Sequence, residues 1–444
     1  MVRSLVSGSL VFPAIVQQLL ADSGSGLTPQ VPHFPGKAKH VIFLYMSGGA
    51  SHVDTFDYKP KLAEAANKGA AGPEGRKPMP SPWAFQPRGQ SGLYVSELFP
   101  HVGACADELC VIRSMRGDHM DHFQATLGIH TGSVSVARPS LGSWVSYGLG
   151  TENRNLPSFV VLAPGLPYAG TQVWSADFLP AQHAGTYVLP GSEPVADLRR
   201  RTPSENIQRL ELTLLERFNR KHLQPRGDDS ELAARLNSYE TAFGMQMQMP
   251  EALDLSQETD ATHQLYGLER GSMKGFAWQC LVARRLIERG VRFVELIDAN
   301  SLGPTNWDAH ENIKSHEPLA RNVDQAAAGL IKDLKSRGLL DETLVVWTTE
   351  FGRSPHAEGR GGRGHYPHAF SSWLAGGGVK GGIAYGLTDD IGANVVENEC
   401  HVHDFHATIL HLLGFDHTRL TFRHGGRDFR LTDVHGQVVT EILQ

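Results

Sequence analysis

HVIFLYM, residues 40–46, runs directly into SGGASHVDTFDYKP, residues 47–60, and the reading of this junction decides the fold. The apolar run shows no alternation with polar residues, which is the mark of a strand buried on both faces, as inside a parallel sheet. Gly48 and Gly49 break it and permit close backbone approach to a ligand. Comparable runs stand at Leu109–Ile112, Phe159–Leu162, Val291–Ile297 and Leu344–Thr348, with helical patterns between them. Buried strands alternating with helices predict an α/β fold: a doubly wound, mainly parallel sheet flanked by helices. Such sheets bind ligands beyond the carboxyl ends of their strands, so the polar segments that follow each run are where chemistry is expected.

Working outward, Thr28–Lys37 reads as a Pro/Gly-rich linker, and residues 37–444 as one domain. Residues 1–27 carry Arg3, an apolar stretch broken by Pro13 and a small-residue end. They outline either the remnant of an export signal or an N-terminal helix. An exported, periplasmic protein with a truncated twin-arginine signal is the expectation, with a cytoplasmic location left open. The stretch is too short and interrupted to span a membrane. Residues 203–268 lack strand-like runs and space Leu210, Leu214, Leu215 and Phe218 helically, which predicts a helical insertion outside the sheet that could roof the site. Met245, Met247 and Met249 within it suit packing better than metal binding. A net charge of -6 provides no concentrated basic face for nucleic acid, and the run Arg199–Arg201 is short. Four cysteines lack zinc-knot spacing and leave room for a single disulfide. Histidine stands out: more than half of the 22 fall within 101–130, 356–368 and 401–424.

Those clusters lie where strands should end. SHVDTFD offers Asp54 as a ligand or as a helix cap, with Asp57 the weaker candidate. RSMRGDHMDHFQATLGIHTG packs Asp118, His119, Asp121 and His122 into five positions and adds Ser114 as a possible hydroxyl nucleophile. In NWDAHEN, Asp308 and His310 are two apart, so an extended chain would turn both to one side to grip a cation. Glu350 ends the strand LVVWTTE, where a buried carboxylate needs a metal, an arginine such as Arg353 or Arg360, or a helix N-terminus. His365 and His368 follow in a Gly-rich loop. In HVHDFHATILHLLG, Asp404 reads as a helix cap and His403 as a ligand candidate.

The strings NWDAHENIKSHEPLARNVDQAAAGLIKDLKSRGLLDETLVVWTTEFGRSP, GRGHYPHAFSSWLAGGGVKGG, HVHDFHATILHLLGFDH and FRLTDVHG, with LYMSGGASHVDTFDYKPKL, closely resemble the bacterial domain-of-unknown-function 1501 family. That family is sulfatase-like and resembles the alkaline phosphatase superfamily, so the resemblance implies an alkaline phosphatase-like fold. It also implies a divalent metal ion (Zn, Ca, Mg or Mn) and a small anionic ester, or a sulfated or phosphorylated glycan, as substrate. By this analogy Asp308 and His310 resemble one metal's ligands, His403 its late histidine, and Glu350 the carboxylate of a second metal. The chain departs from the superfamily at Ser47, where a metal-binding Asp is usual, and at Phe351, where a His is usual. The sulfatase nucleophile precedes a Thr-Gly pair, and counting back from Thr131-Gly132 reaches His122 rather than a hydroxyl or thiol.

The expectation is therefore a metal-dependent hydrolase of phosphate or sulfate esters that uses activated water. Asp54, Asp308, His310, Glu350, His365 and His403 are its candidate metal ligands, and His122, His119 and Ser114 its candidate catalytic residues. The rival is a non-catalytic, anionic-glycan-binding or structural protein on the same fold. Two finer expectations follow: Asp308, His310 and His403 share one coordination sphere, and His122, at a helix N-terminus, is neutral.

Overall fold

A computed structural model describes residues 28–69, 72, 75–195, 204–223, 244–300 and 306–444. The proposed signal, residues 1–27, and the run Arg199–Arg201 lie outside the described residues. Nine strands form the central sheet: β1 (His40–Met46), β2 (Leu109–Arg116), β3 (Phe159–Leu162), β4 (Thr186–Val188), β5 (Phe293–Asp298), β6 (Thr343–Thr348), β9 (Phe370–Ala375), β10 (Ile383–Tyr385) and β11 (Cys400–His401). Their spatial order is β10-β2-β9-β6-β1-β5-β3-β4, and β11 pairs with the far end of β2. All neighbours are parallel except β9, which runs antiparallel to both β2 and β6. A two-stranded hairpin, β7 (Gly352–Glu358) and β8 (Gly362–Tyr366), is interposed between β6 and β9.

Side-chain alternation in β1 explains why the sheet is covered twice. Ile42, Leu44 and Met46 enter one core with helices α5 (Phe276–Ile287) and α6 (His316–Ser336). Val41, Phe43 and Tyr45 enter the other with α1 (His122–Thr131), α2 (Leu141–Leu149) and α7 (Val402–Leu412). Each fully buried aliphatic or aromatic side chain contributes about 1.5–3 kcal/mol relative to exposure, so trimming a residue such as Leu44 would be felt across a whole layer. The four cysteines are buried free thiols.

Within 203–268, helices occupy α3 (Glu205–Leu223), residues 244–253 and α4 (Asp260–Tyr266), while residue 203 and residues 224–243 lie outside the described residues. Met245 and Met249 are buried and Met247 is exposed. Among the described residues no helix is long and apolar enough to cross a membrane.

Parallel strands gather their carboxyl ends at one edge. The turn after β1 places Gly48, with φ of +113, so close to the next edge loop that a Cβ there would meet the Trp307 and Asp308 amide nitrogens at 2.6 and 2.7 Å. Only glycine permits that approach. The Trp307 amide donates to the Ser47 carbonyl at 2.9 Å, tying the β5 loop onto the β1 turn. Beneath it, the carboxylate of Asp298 at the end of β5 accepts from Trp307 Nε1 at 2.7 Å and Asn306 Nδ2 at 2.9 Å.

Candidate metal centre

Donor atoms of His122, Asp308, His310 and His365 lie within 4.8 Å of one another at this edge. Each imidazole is held from behind. His122, the first residue of α1 after the Asp121 cap, donates Nδ1–H to Glu350 at 2.7 Å. His310 donates from Nδ1 to Glu358 at 3.2 Å, and His365 from Nδ1 to the Met120 carbonyl at 2.7 Å. These partners fix the tautomers and turn the three Nε2 atoms inward, the arrangement by which proteins orient metal-binding histidines. Inside, His310 Nε2 and His365 Nε2 approach to 2.7 Å. Asp308 Oδ1 stands 3.2 Å from His310, 3.4 Å from His122 and 3.5 Å from His365.

The walls are specific too. Tyr168 stacks on the His122 ring at 3.9 Å with planes 3° apart, and its hydroxyl donates to Asp308 Oδ2 at 3.3 Å. Phe351 packs against His122 and His365 at ring distances of 4.8 and 4.5 Å, so the aromatic at this position supplies an apolar wall and no ligand. Fully buried Arg353 donates to Asp308 at 2.7 Å and to the Gly48 and Gly49 carbonyls. Glu350 is also fully engaged: it accepts from Tyr45 Oη at 2.9 Å, the Gly48 amide at 2.9 Å and His122.

Electrostatics follow from this packing. Burial works to raise the Asp308 pKa, but hydrogen bonds from His122 and His365 and the Arg353 charge outweigh it and hold the carboxyl well below its usual range. Burial likewise opposes, and the His122 proton overcomes, in depressing Glu350. Burial lowers His365, with Asp308 offsetting part of the effect. His122 goes the other way: desolvation pulls its pKa down, yet hydrogen bonds to Asp308 and Glu350 raise it above 6.5. Two adjacent carboxylates thus favour the proton on His122, a direction opposite to the one expected from the helix terminus.

Four of the candidates named from sequence, His122, Asp308, His310 and His365, thus meet, and Glu350 supports them from behind. Others are placed elsewhere. Asp54 accepts from Arg363 at 2.7 and 3.2 Å and from Ser51 at 2.5 Å in a fully buried pair that ties the β7–β8 hairpin to the β1 turn. Asp57 pairs with Lys59 at 3.1 Å. The Ser114 hydroxyl donates to the Asn398 carbonyl at 2.6 Å, and His119 Nδ1 accepts from the Asp121 amide at 3.0 Å, so neither enters the cluster. His403, expected beside Asp308 and His310, belongs to a second group with Asp118 and His401. The cause is topological: β11 pairs with β2, Cys400 opposite Met115 and His401 opposite Arg116, and so sets the start of α7 beside Asp118. Sequence reasoning missed Tyr168, although its place shortly after β3 is another strand-end position, and had considered Arg353 only as a partner for Glu350.

Converging imidazoles and a carboxylate at the carboxyl edge of a doubly covered, mainly parallel sheet define an α/β protein equipped with a cation-type donor cluster. The chain belongs to the family described as protein of unknown function (DUF1501), whose model matches residues 38–443. No curated protein matches it. Among solved structures, it is similar to the lipoteichoic acid synthase LtaP from Listeria monocytogenes at 9% identity and TM-score 0.38, covering 93% of this chain and 80% of that one. The PsFucS1 sulfatase from Pseudoalteromonas sp. is 12% identical at TM-score 0.32, covering 91% and 71%. Alkaline phosphatase from the Antarctic bacterium TAB5 is 11% identical at TM-score 0.31, covering 77% and 92%.

Proposed function

We propose that this protein is a metal-dependent hydrolase of phosphate or sulfate esters that works through activated water and not through a covalent nucleophile. One observation carries the reading: three imidazoles, each anchored at Nδ1, turn Nε2 toward the Asp308 carboxylate. The His310 and His365 Nε2 atoms stand 2.7 Å apart, a contact that a shared proton or a bound cation would satisfy. A donor set of imidazoles and one carboxylate favours Zn or Mn over Ca or Mg, which prefer all-oxygen shells.

Asp308, His310 and His365 would hold a divalent ion, which would supply Lewis acidity toward an ester oxygen or a water. The chain's own groups do the rest. His122, anchored through Nδ1–H on Glu350, is placed to take a proton at Nε2 from water and to pass it to a leaving oxygen. Tyr168 and Phe351 fix the imidazole plane and exclude water from its faces. Arg353 keeps Asp308 ionised and adds fixed positive charge for an anionic substrate. A small anionic ester or a sulfated or phosphorylated glycan suits that charge.

The same Arg353–Asp308 contact favours the alternative, an anion-binding protein without turnover, because the arginine already compensates the carboxylate. Metal analysis of the purified chain, combined with hydrolysis of an aryl phosphate and an aryl sulfate, separates the two. Stoichiometric metal and turnover that His122→Ala abolishes support the enzyme. Metal-free protein that is inert with added Zn or Mn excludes it.

A further inference from the structure

Asp118, His401 and His403 each bring one donor atom within 4.8 Å of the others. Their meeting is built by backbone pairing. β11 adds to the end of β2, so His401 lies opposite Arg116 and Asp118 follows two residues later. His401 Nε2 stands 2.9 Å from Asp118 Oδ1. The ring is locked in that pose because His401 caps α7, its Nδ1 accepting from the His403 amide at 3.2 Å. Asp404 completes the frame, accepting from the His401 amide at 2.9 Å and from the Gln437 amide at 2.7 Å. This draws the 435–437 turn alongside, where His435 stacks on His403 at 5.1 Å, while His401 stacks on its other side at 5.0 Å.

Capping accounts for His401 and Asp404 but not for the other two. His403 is only 7% exposed, and its buried Nδ1 has no hydrogen-bond partner. Leaving a polar nitrogen buried and unpaired costs stability, which α7 could have avoided with an apolar residue. A polar cavity of about 440 Å³, lined by Asp118, His401, His403, Asp404 and His435 among others, opens on the group. Two imidazoles and one carboxylate beside open space match the donor count of zinc sites that keep a free coordination position. Donors held about 2.1 Å from one ion lie roughly 3.0–3.4 Å apart, so the His401–Asp118 pair needs little movement. Because His401 Nδ1 accepts from the His403 amide, its ring proton lies on Nε2 toward Asp118, and coordination through Nε2 requires that proton to move to Nδ1, with the cap hydrogen bond given up.

We propose that Asp118, His401 and His403 form a second divalent-cation site, separate from the Asp308 cluster, that takes a zinc-type ion with its open position on this cavity. It does not rest on the hydrolase reading. The test uses the full chain stripped with a chelator, titrated with Zn2+ alone and assayed for bound metal after desalting. The expected content is two ions per chain, falling to one in Asp118→Asn/His403→Gln and to one in His310→Ala/His365→Ala. Asp118 is half exposed, so Asp118→Asn alone provides a variant with no folding burden, expected to weaken one of the two ions at least tenfold. Unchanged Zn2+ content and affinity in Asp118→Asn and in the folded double variant overturns the site. A wild type that binds one ion, lost with Asp118 and His403 but kept without His310 and His365, upholds this site and sinks the hydrolase reading.

Discussion

His310 and His365 meet nitrogen to nitrogen, and what separates their lone pairs sets the behaviour of the centre. Replacing either by Ala should lower Zn2+ or Mn2+ affinity at the Asp308 cluster by at least tenfold and remove ester hydrolysis with the fold intact, read by metal content and circular dichroism. Because His122 titrates above 6.5 while it bridges Asp308 and Glu350, protons compete with the ion at this group. Metal affinity should therefore weaken as pH falls through the His122 pKa, and uptake should release protons; calorimetry in buffers of different ionisation enthalpy reads that release. No buffer dependence would mean that His122 keeps its proton. A third residue acts on stability. Burial raises Asp298 to about 6 from 3.8, with Trp307, Asn306 and Asn322 holding it back from rising further. A raised folded pKa means that the folded state binds the extra proton, so stability is highest below 3.8 as far as this group is concerned. It falls as pH climbs from about 4 to 6, by about 3 kcal/mol in full. Asp298→Asn should lose that slope, so the difference between the two proteins' urea midpoints should change between pH 4 and pH 8; identical pH dependence would show that the Asp298 carboxyl is not strained by burial.

At the scale of elements, the β7–β8 hairpin decides which residues reach the edge. It delivers Arg353 to Asp308, Glu358 to His310 and His365 to the cluster, and it is anchored by the Arg363–Asp54 pair, both members fully buried. Breaking such a pair from one side leaves an uncompensated buried charge, so Arg363→Met should cost about 3–5 kcal/mol. Pairing it with Asp54→Asn should recover a large part of that loss in a chemical-denaturation cycle. If Asp54→Asn in the double variant leaves metal content at the wild-type level, Asp54 holds the hairpin and does not bind the ion. None of this pairing was legible in the sequence. SHVDTFD announced a carboxylate after a strand, which is a statement about position along the chain. Whether such a carboxylate meets an ion or a guanidinium depends on a hairpin some 300 residues away, and periodicity carries no information about that. The Asp308–His310 spacing was legible because both sit in one short loop; His365 was expected in a Gly-rich loop but stands in strand β8, paired with Arg353. His403, expected in a loop before the helix, is the second residue of α7, and the order of strands across the sheet, which sets β11 beside β2, is written in no local pattern.

At the scale of the molecule, the cluster draws on loops after β2, β3 and β5 and on the hairpin, so it exists only when the sheet is assembled. An ion that binds this folded arrangement and not the unfolded chain stabilises the whole protein by mass action, about 2.7 kcal/mol at a hundredfold excess over Kd. Added Zn2+ or Mn2+ should therefore raise the thermal midpoint, and chelator should lower it; a midpoint indifferent to both would show that the donors are not ligands in solution. The mainly parallel sheet itself was the most legible feature, since unbroken apolar runs such as HVIFLYM are required of strands covered on both faces, and β1 does feed two cores. The antiparallel β9 was not foreseen, because strand direction leaves no trace in an apolar run. The sheet's two borders, β10 and β4, are only three residues long. So wide a sheet would otherwise present unsatisfied amides and carbonyls along its flanks, an invitation to recruit strands from neighbouring molecules. Truncated flanks deny a second molecule the length it needs to zip on, so the architecture that concentrates donors at one edge also guards the protein against fibrillar self-association.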